Sequence, residues 1–132
     1  MSPTKKTVSP TARTLNECRR RGWHAGVVER WLPNPVHPGG GTRRDLFGFI
    51  DVVALTGTHI LGIQCCALSG HAAHVKKITV DRVEDAKVWL AHGGLIEIWA
   101  WYKYVDTIDR RHWRPKITSI TSTGVEDIQD TY

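Results

Sequence analysis

The stretch that decides the fold is DLFGFIDVVALTGTHILGIQCCA, residues 45–67, in which two apolar segments flank the short sequence TGTH. Both segments are rich in β-branched residues, which favours two strands joined by a hairpin turn. A polar side chain interrupts each of them, Asp51 in the first and Gln64 in the second. Burying a carboxylate costs several kcal/mol unless it is paired or binds a metal. Asp51 therefore requires a partner.

The predicted turn determines which residues of the two strands face each other. Gly57 followed by Thr58 suits a type II′ loop, because that loop needs a positive φ at its first position. Asp51 then lies directly opposite Gln64, with the two Cβ atoms about 4.5–5.5 Å apart on one face of the sheet. Carboxylate and amide oxygens together suit Mg²⁺ or Mn²⁺. The alternative is an Asp51–Gln64 hydrogen bond on a solvent-facing side of the sheet, and the pairing alone favours neither.

Periodicity and turn residues along the whole chain predict one α/β domain. Residues 1–10 are expected to be a disordered basic arm, and residues 122–132 an acidic tail that frays. Residues 32–44 hold three prolines and three consecutive glycines, which predicts a long mobile loop. The predicted helices are 11–21, 70–78 and 83–94, and the predicted strands are 26–31, 46–55, 59–67 and 95–104, with a further strand near 116–121. This core order is α-β-β-β-α-α-β, a central mixed sheet flanked by helices.

The composition of the chain bears on its cellular compartment and on the class of its binding partner. The formal net charge of +5 favours a polyanionic partner such as nucleic acid, and a solubilising surface charge is the alternative. The N-terminus lacks the apolar core of a secretory signal, and no run of about 18 apolar residues predicts a membrane span. Cys65 and Cys66 are adjacent and point to opposite faces of a strand, so reduced thiols in a cytoplasmic protein are expected, without a zinc site.

The segment RRDLFGFIDVVAL…GIQCCALSGHAAHVKKI, within the predicted element order, resembles the PD-(D/E)XK nuclease superfamily. The likeness spans roughly residues 11–104 and is greatest to small phage and prokaryotic members, related in layout to archaeal Holliday junction resolvases. The resemblance implies a restriction-endonuclease-like domain over residues 11–121. It also implies Mg²⁺- or Mn²⁺-dependent hydrolysis of DNA by a cytoplasmic protein of a prokaryotic or phage-infected cell.

The same resemblance assigns roles to individual residues. Asp51 corresponds to the first acid of the motif, and Gln64 stands at the second acidic position, where Mrr-type nucleases also have glutamine. The lysine expected two residues later is replaced by Cys66, so Lys76 or Lys77 in the following helix would supply that positive charge. Glu29, in VVERW, is expected to complete the site from the strand beside Asp51. Asp45 is a further candidate ligand, with a surface ion pair to Arg43 or Arg44 as its alternative.

Cationic side chains in three segments are candidates for nucleic-acid binding, provided that the three segments line one face. Trp113 stands among cations in RRHWRPK and is the candidate for stacking on a base. The candidate residues for nucleic-acid binding are Arg43, Arg44, His74, Arg110, Arg111, Trp113 and Arg114.

Three functions remain open on the sequence alone. The first is a DNA endonuclease, expected to pair as a homodimer in order to cut two strands, whose substrate is a branched junction, duplex ends or a specific site. The second is a nuclease fold without catalysis that binds DNA or a protein partner, which the replacement of lysine by Cys66 favours. The third is a metal- or protein-binding domain unrelated to nucleic acid.

Overall fold

The computed structural model describes residues 7–128, and the chain forms an α/β domain in which helices lie against a mixed sheet. The described α-helices are Pro10–Arg20 (α1), His71–Lys76 (α2) and Val83–Ala91 (α3). The described strands are His24–Val27 (β1), Arg30–Pro33 (β2), Gly41–Arg44 (β3), Val52–Leu55 (β4), Ile60–Ala67 (β5), Leu95–Val105 (β6), Arg111–Thr121 (β7) and Gly124–Ile128 (β8). Among the described residues, no helix is long and apolar enough to cross a membrane.

The main sheet has the strand order β1-β4-β5-β6-β7-β8. Neighbouring strands are antiparallel except β5 and β6, which are parallel. A parallel pair needs a crossover, and the chain between β5 and β6 makes one through α2 and α3. The predicted core order α-β-β-β-α-α-β is thus incomplete. The strand predicted over 26–31 is divided between β1 and β2, β3 pairs with β2, and β7, which covers the strand predicted near 116–121, is followed by β8.

The first helix begins and ends where its sequence supplies caps. The Ser9 side chain accepts a hydrogen bond from the Ala12 amide at 3.1 Å, and Pro10 occupies the first turn, where its missing N–H is not needed. Gly22, with a φ of +80°, follows the helix, as expected for a glycine that ends one. The predicted helix over 11–21 is confirmed to within a residue at each end.

The hairpin of β4 and β5 has the predicted register. Val52 pairs with Ile63 and Leu55 with Ile60. In the same register, the residue before Val52, which is Asp51, lies opposite the residue after Ile63, which is Gln64. Gly57 has a φ of +99°, and the Thr56 amide donates to the His59 carbonyl at 3.1 Å. A positive φ at the first loop position is what a type II′ turn requires.

Residues 32–44 do not form the long mobile loop that their prolines and glycines predict. Strands β2 and β3 pair as a separate two-stranded ribbon, here called the basic ribbon (Arg30–Pro33 and Gly41–Arg44). Trp31 packs so closely on Gly41 that an added Cβ there would lie 2.5 Å from the indole ring. The Asn34 side chain accepts from the Val36 amide at 2.8 Å and closes the turn. The glycine therefore makes room for an aromatic ring, which its sequence context did not reveal.

Two further predicted boundaries are corrected. The strand predicted over 46–55 begins only at Val52, because residues 45–50 form a tight turn in which the Gly48 amide donates to the Asp45 carbonyl at 3.0 Å. The predicted tail of 122–132 contains β8, which pairs with β7 from Ile117 to Thr121. Most of the predicted arm of 1–10 lies outside the described residues, and Pro10 belongs to α1.

Two apolar clusters lie on opposite faces of the main sheet. The face covered by α1 buries Cys18, Cys65 and Trp99, and the Trp101 indole N–H donates to the Thr14 hydroxyl at 2.9 Å. The other face, which α2 and α3 cover, buries Phe49 and Cys66 among others. All three cysteines are free and buried. As predicted, Cys65 and Cys66 pack on opposite sides of β5.

Candidate metal centre

Three carboxylates from three segments of the chain converge beside the β4–β5 hairpin. One oxygen each from Glu29, Asp45 and Asp51 lies within 4.8 Å of the other two. Glu29 follows β1, Asp45 follows β3 and Asp51 precedes β4. The Val28 amide donates to the Asp51 carbonyl at 2.9 Å, and this bond holds the Glu29 segment against the hairpin. The predicted proximity of these three acids is therefore found in the structure.

Gln64 completes this cluster from the opposite strand. Its Nε2 donates to Oδ2 of Asp51 at 2.7 Å, and the same oxygen accepts from the Cys65 amide at 2.8 Å. The hydrogen bond proposed as the alternative to a metal site is thus present, but it is not solvent-facing: Asp51 is 4% and Gln64 2% exposed. Among the described residues, the other amide atom, Oε1 of Gln64, is buried with no hydrogen-bond partner.

An unsatisfied buried carbonyl is costly, about 1–3 kcal/mol, so Oε1 of Gln64 calls for a partner that the described residues do not supply. A divalent cation of the Mg²⁺ or Mn²⁺ type provides one, because these ions prefer hard oxygen ligands. The residues present therefore fit the metal that the sequence predicts. Glu29, Asp45, Asp51 and Gln64 would hold it.

The protonation of this cluster follows from its burial. Burial, together with a hydrogen bond to Asp45 that acts in the same direction, raises the pKa of Asp51 to about 8. Burial also acts to raise the pKa of Asp45, but the hydrogen bonds from Asp51 and Lys77 outweigh it, so the pKa of Asp45 is lowered. Two close carboxylates share one proton for this reason. Without a cation, Asp51 holds the proton and Asp45 the charge.

Lys77 is the cation nearest to these acids. Its Nζ donates to Oδ2 of Asp45 at 2.9 Å. Lys77 opens a π-helical turn, Lys77–Asp81, in which the Arg82 amide donates to the Lys77 carbonyl at 2.7 Å. In an α-helix, two residues five positions apart are separated by about 1.4 turns, so their side chains point in different directions. The wider π-helical turn instead brings the side chains of Lys77 and Arg82 to the same cleft.

That cleft is open, basic and adjacent to the acid cluster. Its volume is about 730 Å³, and Arg43, Arg44, Lys77 and Arg82 line it together with Asp45. Arg43 also approaches Glu29, with 3.5 Å between Nη1 and Oε1. The predicted alternative for Asp45, a surface pair with a neighbouring arginine, is not what the structure has, because Asp45 pairs with Lys77.

The position of the missing lysine is occupied by a buried thiol. Cys66 is 6% exposed, and burial raises its pKa to about 11, with the Asp51 charge acting in the same direction. Cys66 is thus neutral at physiological pH and supplies no positive charge. Of the two lysines proposed to replace it, Lys77 reaches the acids, whereas the side chain of Lys76 is exposed and makes no described contact with them.

The other residues predicted to bind nucleic acid are not among those that line the cleft. Trp113 lies on the α1 face, where the Arg13 guanidinium stacks 4.0 Å from its ring centroid. Arg110 pairs with Asp106 at 3.2 Å, and Arg114 lies over the Tyr104 ring. His74 forms a hydrogen bond with the Gly70 carbonyl at 2.8 Å. Arg111 begins β7 and is exposed.

Sequence reasoning missed four residues that line the cleft: Phe47, Gly48, Arg82 and Asp85. Arg82 lies against the Gly48 backbone, since an added Cβ there would be 2.4 Å from its Nε. Phe47 has a φ of 53° and is 52% exposed at the mouth of the cleft. The Phe47-Gly48 pair was the available signal, because a glycine inside an apolar run often marks a turn.

No family model, curated protein or solved structure matches this chain. The resemblance to the PD-(D/E)XK superfamily therefore stays a prediction from the sequence. What the protein does is inferred here from the acid cluster, its lysine and its cleft.

Proposed function

We propose that this protein is a metal-dependent endonuclease that hydrolyses phosphodiester bonds in DNA, with Mg²⁺ or Mn²⁺ held by Glu29, Asp45, Asp51 and Gln64. The observation that carries the proposal is the convergence of the carboxylates of Glu29, Asp45 and Asp51 at the edge of a basic cleft, next to a glutamine, Gln64, whose Oε1 is buried without a hydrogen-bond partner among the described residues.

The bound cation would lower the pKa of a water molecule and neutralise charge that develops on the phosphate. The protein's own residues prepare the site for this exchange. A proton on Asp51, the ammonium of Lys77 and the guanidinium of Arg43 now offset the three carboxylates. A bound cation would offset the carboxylates in place of the proton and of Arg43, which would leave Arg43 free to contact a DNA phosphate while Lys77 stays beside Asp45.

Lys77 takes the role of the lysine that Cys66 replaces. An ammonium beside the acids stabilises negative charge on a phosphate oxygen, and its fixed position costs no rearrangement during the reaction. Arg44 and Arg82, on the walls of the cleft, would position the DNA backbone. Since one site cuts one strand, cleavage of both strands of a duplex or junction would take two copies of the chain.

A second candidate, a catalytically inactive module that binds DNA or a protein partner, is favoured by one observation. Cys66 is neutral and buried at the position where the superfamily has its lysine. This candidate predicts salt-sensitive DNA binding that needs no divalent metal.

The experiment that separates the two candidates is DNA cleavage by the intact protein with Mg²⁺ or Mn²⁺, compared with Asp51→Asn. The expected result is cleavage by the wild type, none in chelator, and a loss of several orders of magnitude in the variant. Its melting temperature should stay level or rise, because asparagine is nearly isosteric with the protonated Asp51 side chain and needs no raised pKa to stay neutral. Asp81→Asn, an exposed carboxylate outside the cluster, serves as the matched control.

The divalent metal alone provides a second measurement. It should raise the melting temperature of the wild type, because only the folded state holds the site, and should do little for Asp51→Asn. A wild type that cuts no branched, duplex or single-stranded DNA and gains no stability from metal would contradict the proposal and leave the inactive module.

A further inference from the structure

A second, smaller groove adjoins the acid cluster on the side of the basic ribbon. Its volume is about 320 Å³, and Arg30, Leu32, Arg44 and Phe47 line it together with Asp45. It shares Arg44, Asp45 and Phe47 with the larger basic cleft, so the two openings meet at the acids. This second opening is called the ribbon groove.

Two arginines at the base of the ribbon face each other across it. Arg30 pairs directly with Arg44 in the register of β2 and β3, and both side chains are exposed. Among the described residues, no carboxylate forms an ion pair with either of them. Directly opposed like charges destabilise a strand pair, and an isolated two-stranded ribbon is marginally stable already. The arrangement indicates an anionic partner that both arginines contact.

The chain places these arginines beside the acids, since Arg30 follows Glu29 and Arg44 precedes Asp45. An anion held between them is therefore next to the candidate metal centre. A run of phosphates fits this position better than a single anion, because the basic cleft continues on the other side of Asp45 with Lys77 and Arg82.

Phe47 supplies an aromatic surface in the same groove. One side of its ring packs on Trp89, with 6.2 Å between ring centroids, while 52% of the residue stays exposed. Its φ of 53° is one that a bulky residue adopts only at a cost. A glycine or asparagine at this position would avoid that cost. The exposed phenyl ring therefore indicates that Phe47 contacts a binding partner.

We propose that the ribbon groove holds an unpaired strand of DNA, with a base stacked on Phe47 and neighbouring phosphates bound by Arg30 and Arg44. Only a base that is unstacked from its neighbours in the DNA can stack on the Phe47 ring. The two arginines, by contrast, contact only the phosphates of the backbone. Base–aromatic stacking of this kind is tolerant of sequence. The proposal rests on the proposed function and assigns its substrate: DNA that is single-stranded next to the bond that is cut.

The test is binding, measured in chelator so that no cleavage takes place. The probes are a fluorescein-labelled oligothymidylate and a hairpin duplex with the same number of nucleotides. The wild type should bind the single strand more tightly than the duplex. Phe47→Ala should weaken single-strand binding about 5- to 100-fold, and Phe47→Trp should retain it. Trp113→Ala, an exposed aromatic residue flanked by cations on the opposite face of the sheet, is the matched control and should change little.

The salt dependence of binding tests Arg30 and Arg44 separately from Phe47. In Arg30→Gln/Arg44→Gln, the slope of log affinity against log salt concentration should fall by about 1–1.5 for the single strand. Arg19→Gln/Lys103→Gln, which removes the same charge on the α1 side, should keep the wild-type slope. Phe47→Asn maintains the fold, because asparagine tolerates a positive φ, and should bind as weakly as Phe47→Ala.

Tighter binding of the duplex, or equal effects of Phe47→Ala and Trp113→Ala, would overturn the assignment of the groove. That outcome is distinct from failure of the nuclease proposal. A wild type that shows the expected binding pattern but never cleaves contradicts the proposed function, while one that cleaves without depending on Phe47 contradicts only the groove.

Discussion

The Nζ atom of Lys77 lies 2.9 Å from Oδ2 of Asp45, although the two residues are 32 positions apart in the chain. The pair joins the π-helical turn after α2 to the turn before β4. It places an ammonium in contact with a carboxylate of the cluster, where the sequence motif has only the neutral Cys66. Lys77 is therefore the lysine whose removal should affect cleavage.

Lys77→Met is expected to reduce metal-dependent DNA cleavage roughly 10²- to 10³-fold, because it removes the fixed positive charge next to the scissile phosphate. Lys76→Met, which removes a charge from the adjacent exposed residue, should have little effect. Single-turnover rates at saturating DNA separate this loss from a loss of binding. A larger defect in Lys76→Met than in Lys77→Met would show that the wrong lysine was assigned.

The stability of Asp51→Asn relative to the wild type should depend on pH. The pKa of Asp51 is raised from 3.8 to about 8 in the folded state, so between these values the folded protein keeps a proton that the unfolded chain has lost. Wild-type stability in chelator must then fall as the pH rises from about 4 to 8, by at most about 1.4 kcal/mol per pH unit. Asparagine does not titrate, so the advantage of the variant should grow over this range and level off above it.

Urea unfolding at several pH values measures this difference. Asp81→Asn, with its exposed side chain, should stay within about 0.5 kcal/mol of the wild type throughout. An advantage of Asp51→Asn that is the same at pH 4 and pH 8 would mean that Asp51 is charged in the folded protein.

Gln64→Glu should make the protein more dependent on metal. The new carboxylate faces Asp51 in a buried site, so the melting temperature in chelator should fall, since like charges are then forced together. Added Mn²⁺ should raise the melting temperature of this variant more than that of the wild type. Gln64→Leu removes the partnerless oxygen together with the Nε2 hydrogen bond to Asp51, so its melting temperature in chelator should fall, and it should respond weakly to Mn²⁺. A full response would exclude Gln64 as a ligand.

Gly48→Ala and Gly57→Ala form a matched pair that tests the place of Arg82. Both glycines have positive φ, +82° and +99°, so both alanines should cost about 1–2 kcal/mol. Only at Gly48 would the new Cβ meet Arg82, whose flexible side chain would then move out of the cleft. DNA affinity should therefore fall in Gly48→Ala and persist in Gly57→Ala. Equal affinities would remove Arg82 from the DNA-binding residues.

Local spacing determined the hairpin and the pair at its centre. Gly57 and Thr58 specify a two-residue loop, and the period of two along a strand then carries the register from the loop to Asp51 and Gln64 without further information. The end of α1 was predictable for the same reason, because Gly22 acts on the turn next to it. The turn before β4 was missed because the apolar run from Leu46 to Ile50 imitates a strand.

Tertiary structure alone decided which cations accompany the acids. Lys76 and Lys77 are neighbours in sequence, and only the packing of Ile78 in the core, together with the π-helical turn, directs Lys77 and not Lys76 to Asp45. The basic ribbon likewise depends on Trp31 meeting Gly41 across the turn. Trp113 stands in a cationic sequence, yet its strand turns it to the α1 face. A side chain's direction depends on the backbone turn and the neighbours it packs against, so contacts between distant segments follow from the assembled sheet and helices.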